Sequence, residues 1–161
     1  MENQQNIVVR QAQSSDVPVI LDFILQLAAY EKLEDQVRAT PEKLLESLFE
    51  RKQAYCLLAY LSDKPVGFAL YFYNYSTFLA QANLYLEDLF VLEDYRHRGV
   101  GKKLFQALCE AAYQLGAKRL DFSCLRWNKS ALDFYSGIGA LPMSDWVTLR
   151  MDEDAIKRLG S

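Results

Sequence analysis

The chain has 161 residues, enough for one domain with a substantial core. Its 51% hydrophobic and 24% charged residues exclude a disordered tail, and no apolar run approaches the roughly 18 residues of a membrane-spanning helix. The formal charge of −3 argues against nucleic acid, whose readers carry a basic face, and leaves a cationic small molecule open as a ligand.

Residues Ile7 to Ala12 predict a first strand. "SSDVPVILDFILQLAAYE" then has helical spacing, with Val17, Ile20, Ile24 and Leu27 on one side and Ser15 or Asp16 as the cap. After the polar break "KLEDQVRAT", Pro41 opens a second helix that runs to about Glu50. "AYCLLAYL" predicts a strand, "SDKP" a turn, and the aromatic-rich run from Val66 to Tyr75 the hairpin partner. Ala82 to Leu92 predicts a further strand. A long helix follows from Gly99 to about Leu115, with Val100, Leu104, Ala107, Leu108 and Ala111 inward and Gly116 as its cap. "KRLDFSCL" predicts another strand, "NKSALDFYSGIG" a short helix, "SDWVTLRM" a final strand, and Asp152 to Leu159 a terminal helix. No repeat or linker divides this order, which predicts a single domain, 1–161, with a mixed α/β sheet and helices on its faces.

The stretch "MENQQNIVVR" has no basic region followed by an apolar core, which argues against an export signal. Cys56, Cys109 and Cys124 are odd in number, widely spaced and set in apolar segments. They read as buried free thiols, in keeping with a reducing, cytoplasmic setting. His97 is the only histidine and no cysteine pair has ligand spacing, so no metal site is expected.

Chemistry enters with "DYRHRGVGKKLFQAL". Glycine is a poor helix residue, yet Gly99 and Gly101 stand where a helix begins. A helix start presents unpaired N–H groups, and without Cβ atoms a phosphate could reach them, with Arg96, Arg98, Lys102 and Lys103 concentrating positive charge nearby. The alternative is an ordinary turn with a helix packed closely on the sheet. Neither a Walker loop nor a dinucleotide fingerprint fits the spacing. Glu87 and Asp88 interrupt an otherwise apolar strand. Successive strand residues face opposite sides, so the two carboxylates share one pocket only if a bulge intervenes. Pairing with a helix cation is the alternative for each. Glu31, Glu34 and Asp35 in "YEKLEDQV" read by themselves as solvent-facing.

"RHRGVG" resembles the Arg/Gln-x-x-Gly-x-Gly/Ala loop of the GCN5-related N-acetyltransferases. "YLEDLFVLEDYRHRGVG", "WNKSALDFYSGIGA" and "LAAYEKLEDQV" resemble the diamine (spermidine/spermine N1-) acetyltransferases within that superfamily. The resemblance implies a curved mixed sheet of six or seven strands with helices on both faces, whose fourth and fifth strands splay apart. It implies acetyl-CoA as the donor, held by Leu89, Phe90, Val91, Arg96, His97, Arg98, Gly99, Val100, Gly101, Lys102, Asn128 and Tyr135. For Asn128, capping of the following helix is the competing role. Tyr135 is implied as the acid that protonates the departing thiolate, where packing is the alternative, and Glu87 as the proton acceptor. Tyr30, Glu31, Glu34, Asp35, Glu87, Asp88 and Trp127 are implied to bind the acceptor, a small amine, and a homodimer is expected. Two departures bear on the acceptor. Arg126 stands where animal polyamine enzymes carry an acid, with Lys129 adding positive charge nearby, and the loop between the second and third strands is very short, which alters the groove edge. Polyamines or diamines, a thialysine-like amino acid and another small amine all stay open. So do a protein or peptide amine and a non-catalytic acyl-CoA sensor.

Overall fold

Five strands form one sheet in chain order: β1 (Ile7–Gln11), β2 (Tyr55–Leu61), β3 (Lys64–Ser76), β4 (Gln81–Val91) and β5 (Leu120–Phe122). The computed structural model describes residues 6–161, so the reading of the first ten residues falls partly outside it. The contacts divide the chain at Ser123/Cys124 into two units, and each is described by itself.

In the first unit the strands β1 to β4 are antiparallel neighbours. Leu61 faces Lys64, so Ser62 and Asp63 alone make the β2–β3 turn, with Ser62 at φ +54°. A parallel fifth strand needs a crossover, and α3 (Val100–Leu115) supplies it. β5 pairs with β4 only at Leu84–Leu120, Tyr85–Asp121 and Leu86–Phe122, whereas β4 continues to Val91.

Alternation along the strands sorts the core into two layers. Cys56, Leu58, Phe68 and Phe90 face α1 (Val17–Glu31), meeting Val17, Ile20 and Phe23, with Leu44 and Leu48 closing the layer. The Phe23 ring lies 5.6 Å from Phe68 and 6.2 Å from Phe90. Val91 and Gly67 face the other way, toward α3. A Cβ built on Gly67 would lie 2.8 Å from the Phe90 carbonyl and 3.4 Å from Val100 Cγ1, so only glycine fits that crossing. On α3 the buried residues are Val100, Leu104, Phe105, Leu108 and Ala112, and Gly116 ends the helix at φ +79°.

Local chemistry differs from the sequence reading at the start of α1 and agrees with it at the start of α2. Asp16 stands at the N-cap position of α1 but its side chain accepts from no amide of that helix; it takes Arg10 and, closing the turn Ser14–Asp16, the Gln13 amide. Pro41 and the Thr40 hydroxyl, which accepts from the Lys43 amide, open α2 (Pro41–Leu44). The chain then winds on as a π-helix over Leu45–Glu50.

In the second unit, Asn128 caps α4 (Lys129–Gly137) by accepting from the Ala131 amide at 3.2 Å. Asp152 caps α5 (Glu153–Gly160) in the same way at 2.8 Å.

Three expectations are corrected. The sheet has five strands among the described residues, not six or seven. "SDWVTLRM" stays irregular, with Trp146, Val147 and Leu149 exposed at 76%, 79% and 89%. Its apolar content is that of a strand, but a strand forms only where a neighbour completes the ladder. The thiols are not uniformly buried either. Cys56 is buried, Cys124 half-buried, and Cys109 exposed on the outer side of α3, next to inward-facing Leu108. Among the described residues no helix is long and apolar enough to cross a membrane.

Candidate active site

The strand carrying Glu87 and Asp88 is bulged at that point. Leu70 of β3 faces Asp88, and the next residue, Tyr71, faces Leu86, so Glu87 is an extra residue without a partner. An extra residue breaks the two-residue alternation. Leu84 and Leu86 share the α3 side, Phe90 lies on the α1 side, and the parity between them puts both Glu87 and Asp88 on the α1 side.

There Asp88 lies within electrostatic reach of Glu31, the last residue of α1. Asp88 is half-buried, and its carboxyl is pushed up to about 7, first by burial and then by the charges of Glu87 and Glu31. Burial also raises the Glu31 carboxyl. Glu87 is exposed. None of the three has a hydrogen-bonding or ion-pairing partner among the described residues. Three carboxylates with no protein cation between them form a receptacle for positive charge. Glu34 and Asp35 lie beyond it, exposed in the single turn Glu34–Gln36, where the Asp35 carbonyl accepts from Arg38 Nη1 at 2.7 Å.

The glycine loop follows the same strand. After one turn over Glu93–Tyr95, His97 adopts φ +60° and Gly99 φ +85°, and α3 begins at Val100. The amides of Gly99, Val100, Gly101 and Lys102 have no acceptor among the described residues, and no side chain caps the helix. Lys103 is the first whose N–H is engaged, on the Gly99 carbonyl at 3.0 Å. A Cβ at Gly99 would meet nothing within 4 Å. The left-handed backbone, and not crowding by the protein, therefore demands this glycine, and the space over the amides is open. Unspent N–H groups at a positive helix end with clear approach fit a diphosphate of the kind that coenzyme A carries.

The basic side chains divide their work. Arg96 donates from Nε to the Val91 carbonyl at 3.0 Å, and its guanidinium lies 4.7 Å from the Tyr30 ring centroid and 5.6 Å from that of Phe90. Arg98 and Lys64 both approach the Tyr95 ring, at 5.3 and 4.9 Å. His97 and Lys102 are exposed, Leu89 is half-buried, and Phe90 and Val91 are buried. In the second unit, Tyr135 is half-buried on α4, its ring edge-on to Phe134 at 5.5 Å and its carbonyl accepting from the Ala140 amide at 3.0 Å. Asn128 has the capping role that the sequence left open, and Trp127 is 52% exposed. Among the described residues no three His, Cys, Asp or Glu side chains, the carboxylates of Glu31, Glu87 and Asp88 included, are placed to hold a metal ion.

The reading of the sequence missed the contact between Arg96 and Tyr30. The signal available was only that an arginine, with a planar charge able to stack and donate at once, opens the loop.

Known proteins give this geometry a family. The model of the acetyltransferase (GNAT) family matches residues 22–140. The thialysine N-epsilon-acetyltransferase of Bos taurus is 35% identical over 95% of this chain and 96% of its own. The spermidine/spermine N(1)-acetyltransferase-like protein 1 of Homo sapiens is 31% identical over 92% of this chain, but the match spans only 23% of that protein. An integron cassette protein from V. cholerae superimposes with a TM-score of 0.79 at 24% identity, over 96% of this chain and 97% of that one. With its open-amide glycine loop ahead of α3 and a match across most of its length, the chain belongs to the GNAT family and is an acetyl-CoA-dependent acetyltransferase.

Proposed function

We propose that the protein acetylates a primary amine of a small cationic acceptor that also bears a carboxylate, an amino acid of the thialysine type, in preference to a polyamine. The observation that carries this reading is the bulge, which turns Glu87 and Asp88 to one side of β4, where the charges of Glu87 and Glu31 both act on Asp88 and no protein cation pairs with any of the three carboxylates. The thialysine relatives, matched over nearly their whole length, support the amino-acid acceptor. In this reading Arg126 and Lys129, both exposed, are the charges that suit an acceptor carboxylate and oppose a second ammonium.

An ammonium titrates near 10 and must lose its proton before its nitrogen can attack. Glu87, exposed on the bulge, receives the cation. Asp88, deeper and titrating at about 7, takes the proton, because a base matched to neutral pH transfers protons most effectively. Bound acetyl-CoA supplies an activated acetyl thioester. The loop amides from Gly99 to Lys102 hold its diphosphate, with Leu89 to Val91, Arg96 to Arg98 and Asn128 as further contributors. Tyr135 gives its phenolic proton to the leaving sulfur. Tyr30, Glu34, Asp35 and Trp127 border the acceptor. The reading includes a homodimer, for which exposed Tyr75 and Phe78 near the β3–β4 turn offer apolar surface; sedimentation of the full chain tests it.

The deciding experiment follows CoA release across an amine panel of S-aminoethylcysteine, lysine, ornithine, putrescine, spermidine and peptide amines. The amino acids with a terminal amine are expected to have the highest kcat/KM. Polyamines turned over best would overturn the acceptor class. Acetyl-CoA binding with no turnover of any amine would make the protein a sensor.

A further inference from the structure

The loop that meets the donor and the helix end that meets the acceptor lie far apart in sequence, yet one side chain touches both. Arg96 opens the glycine loop. Its backbone is fixed on the Glu93 carbonyl at 3.2 Å, and its Nε on the Val91 carbonyl, the last of β4, at 3.0 Å. The guanidinium then lies over Tyr30, the residue before Glu31 in the last turn of α1. Among the described residues Arg96 forms no ion pair. Its charge is directed to a carbonyl and two aromatic rings.

A planar guanidinium can stack on a ring while Nε–H donates in its own plane; an ammonium cannot do both. The residues just downstream need such an anchor. His97 and Gly99 both adopt positive φ, and the open amides keep a common direction only if the entry to the loop is held.

We propose that Arg96 is a positioning residue that ties the glycine loop to the Tyr30–Glu31 end of α1, so that each ligand's site is held in shape by an element of the other. The inference rests on the reading of the loop as the donor site and adds a mechanical link that the reading does not require. Its distinguishing consequence concerns Tyr30, which lies outside the loop and should nevertheless affect donor affinity.

The test is calorimetric titration of the full chain with CoA, for the parent, Tyr30→Leu, Arg96→Ala, the double variant and Tyr30→Phe, with thermal melts to establish that each is folded. Tyr30→Leu is expected to weaken CoA binding about five-fold, in proportion to one cation–ring contact. The double variant should be no weaker than Arg96→Ala alone, and Tyr30→Phe should bind like the parent. Folded Tyr30→Leu with parental affinity, or effects that multiply in the double variant, would overturn the link and leave the donor site standing. A parent that does not bind CoA would bring down the donor site and the link together.

Discussion

Asp16, at the mouth of α1, and Asp88, at the bulge of β4, are both withdrawn from water, and the fold treats them in opposite ways. Asp16 receives Arg10 through both oxygens, at 2.8 and 3.1 Å, and the Gln13 amide at 2.7 Å, while Arg10 also reaches the Tyr60 hydroxyl at 2.8 Å. Its carboxyl is held below the usual range, chiefly by Arg10. Asp88 has two other carboxylates and no cation, and is pushed up to about 7. A buried carboxylate stabilises a fold when its partners come with it. One left with like charges lowers stability and waits for a partner from outside.

The largest effect that would sharpen this contrast is on activity. Asp88→Asn should lower kcat/KM for the preferred amine about 100-fold or more, as expected for loss of a general base, with CoA affinity unchanged by calorimetry. Parental kcat/KM would show that Asp88 is not the proton acceptor. Asp16→Asn should do the reverse. It removes the charge that Arg10 faces and replaces one of the two accepting oxygens by an NH2 group set against a donor, and should cost about 3 kcal/mol of stability in denaturant titration. The kcat of the folded fraction should not change.

Next in size is a pH-dependent gain. In an unfolded chain the Asp88 carboxyl titrates near 3.9; in the fold it titrates at about 7. Between these values the native state keeps a proton that the unfolded state releases, so this group removes stability as pH rises from about 4 to about 7. The whole displacement is worth roughly 4 kcal/mol, and water around a carboxyl that is only half-buried reduces it to about 2 kcal/mol. Asp88→Asn should therefore raise the melting temperature at pH 8 and lose that advantage at pH 4. Asp16 runs the other way, stabilising above about 4 and ceasing to do so as the solution becomes more acidic.

The smallest effect is a fraction of a proton. An ammonium arriving beside Asp88 should lower its affinity for protons, so acceptor binding at pH 7 should release protons. Titrations in buffers of different ionisation heat measure the release, which Asp88→Asn should abolish.

Features set by neighbours in sequence were legible in it. The Ser62–Asp63 turn follows from "SDKP", the α3 cap at Gly116 from glycine's tolerance of positive φ, and the inward set of α3 from its 3.6-residue period. Phe105 and Ala112 were missed there, at the margin of the apolar stripe, and the expected Ala107 and Ala111 are only half-buried. The bulge was legible only as a condition. Whether β4 spends two residues against one step of β3 depends on the partner strand, and no pattern within "LYLEDLF" records that count. Asp16 looked like a cap because aspartate before a helix usually is one, but Arg10 arrives from the preceding strand with two donors in a fixed fork. The last strand failed for the complementary reason: alternation states what could pair, not that a partner is present.

The unpartnered residue in β4 has a genetic consequence. Losing one residue at the bulge, whether Leu86, Glu87 or Asp88, removes the excess and leaves Phe90 against Phe68 in its layer. Removing Glu87 alone would close the ladder into regular pleating with Leu86 still against Tyr71 and Asp88 still against Leu70. A single in-frame codon deletion could thus erase half of the acid pair while sparing the architecture, and a single insertion could have created it.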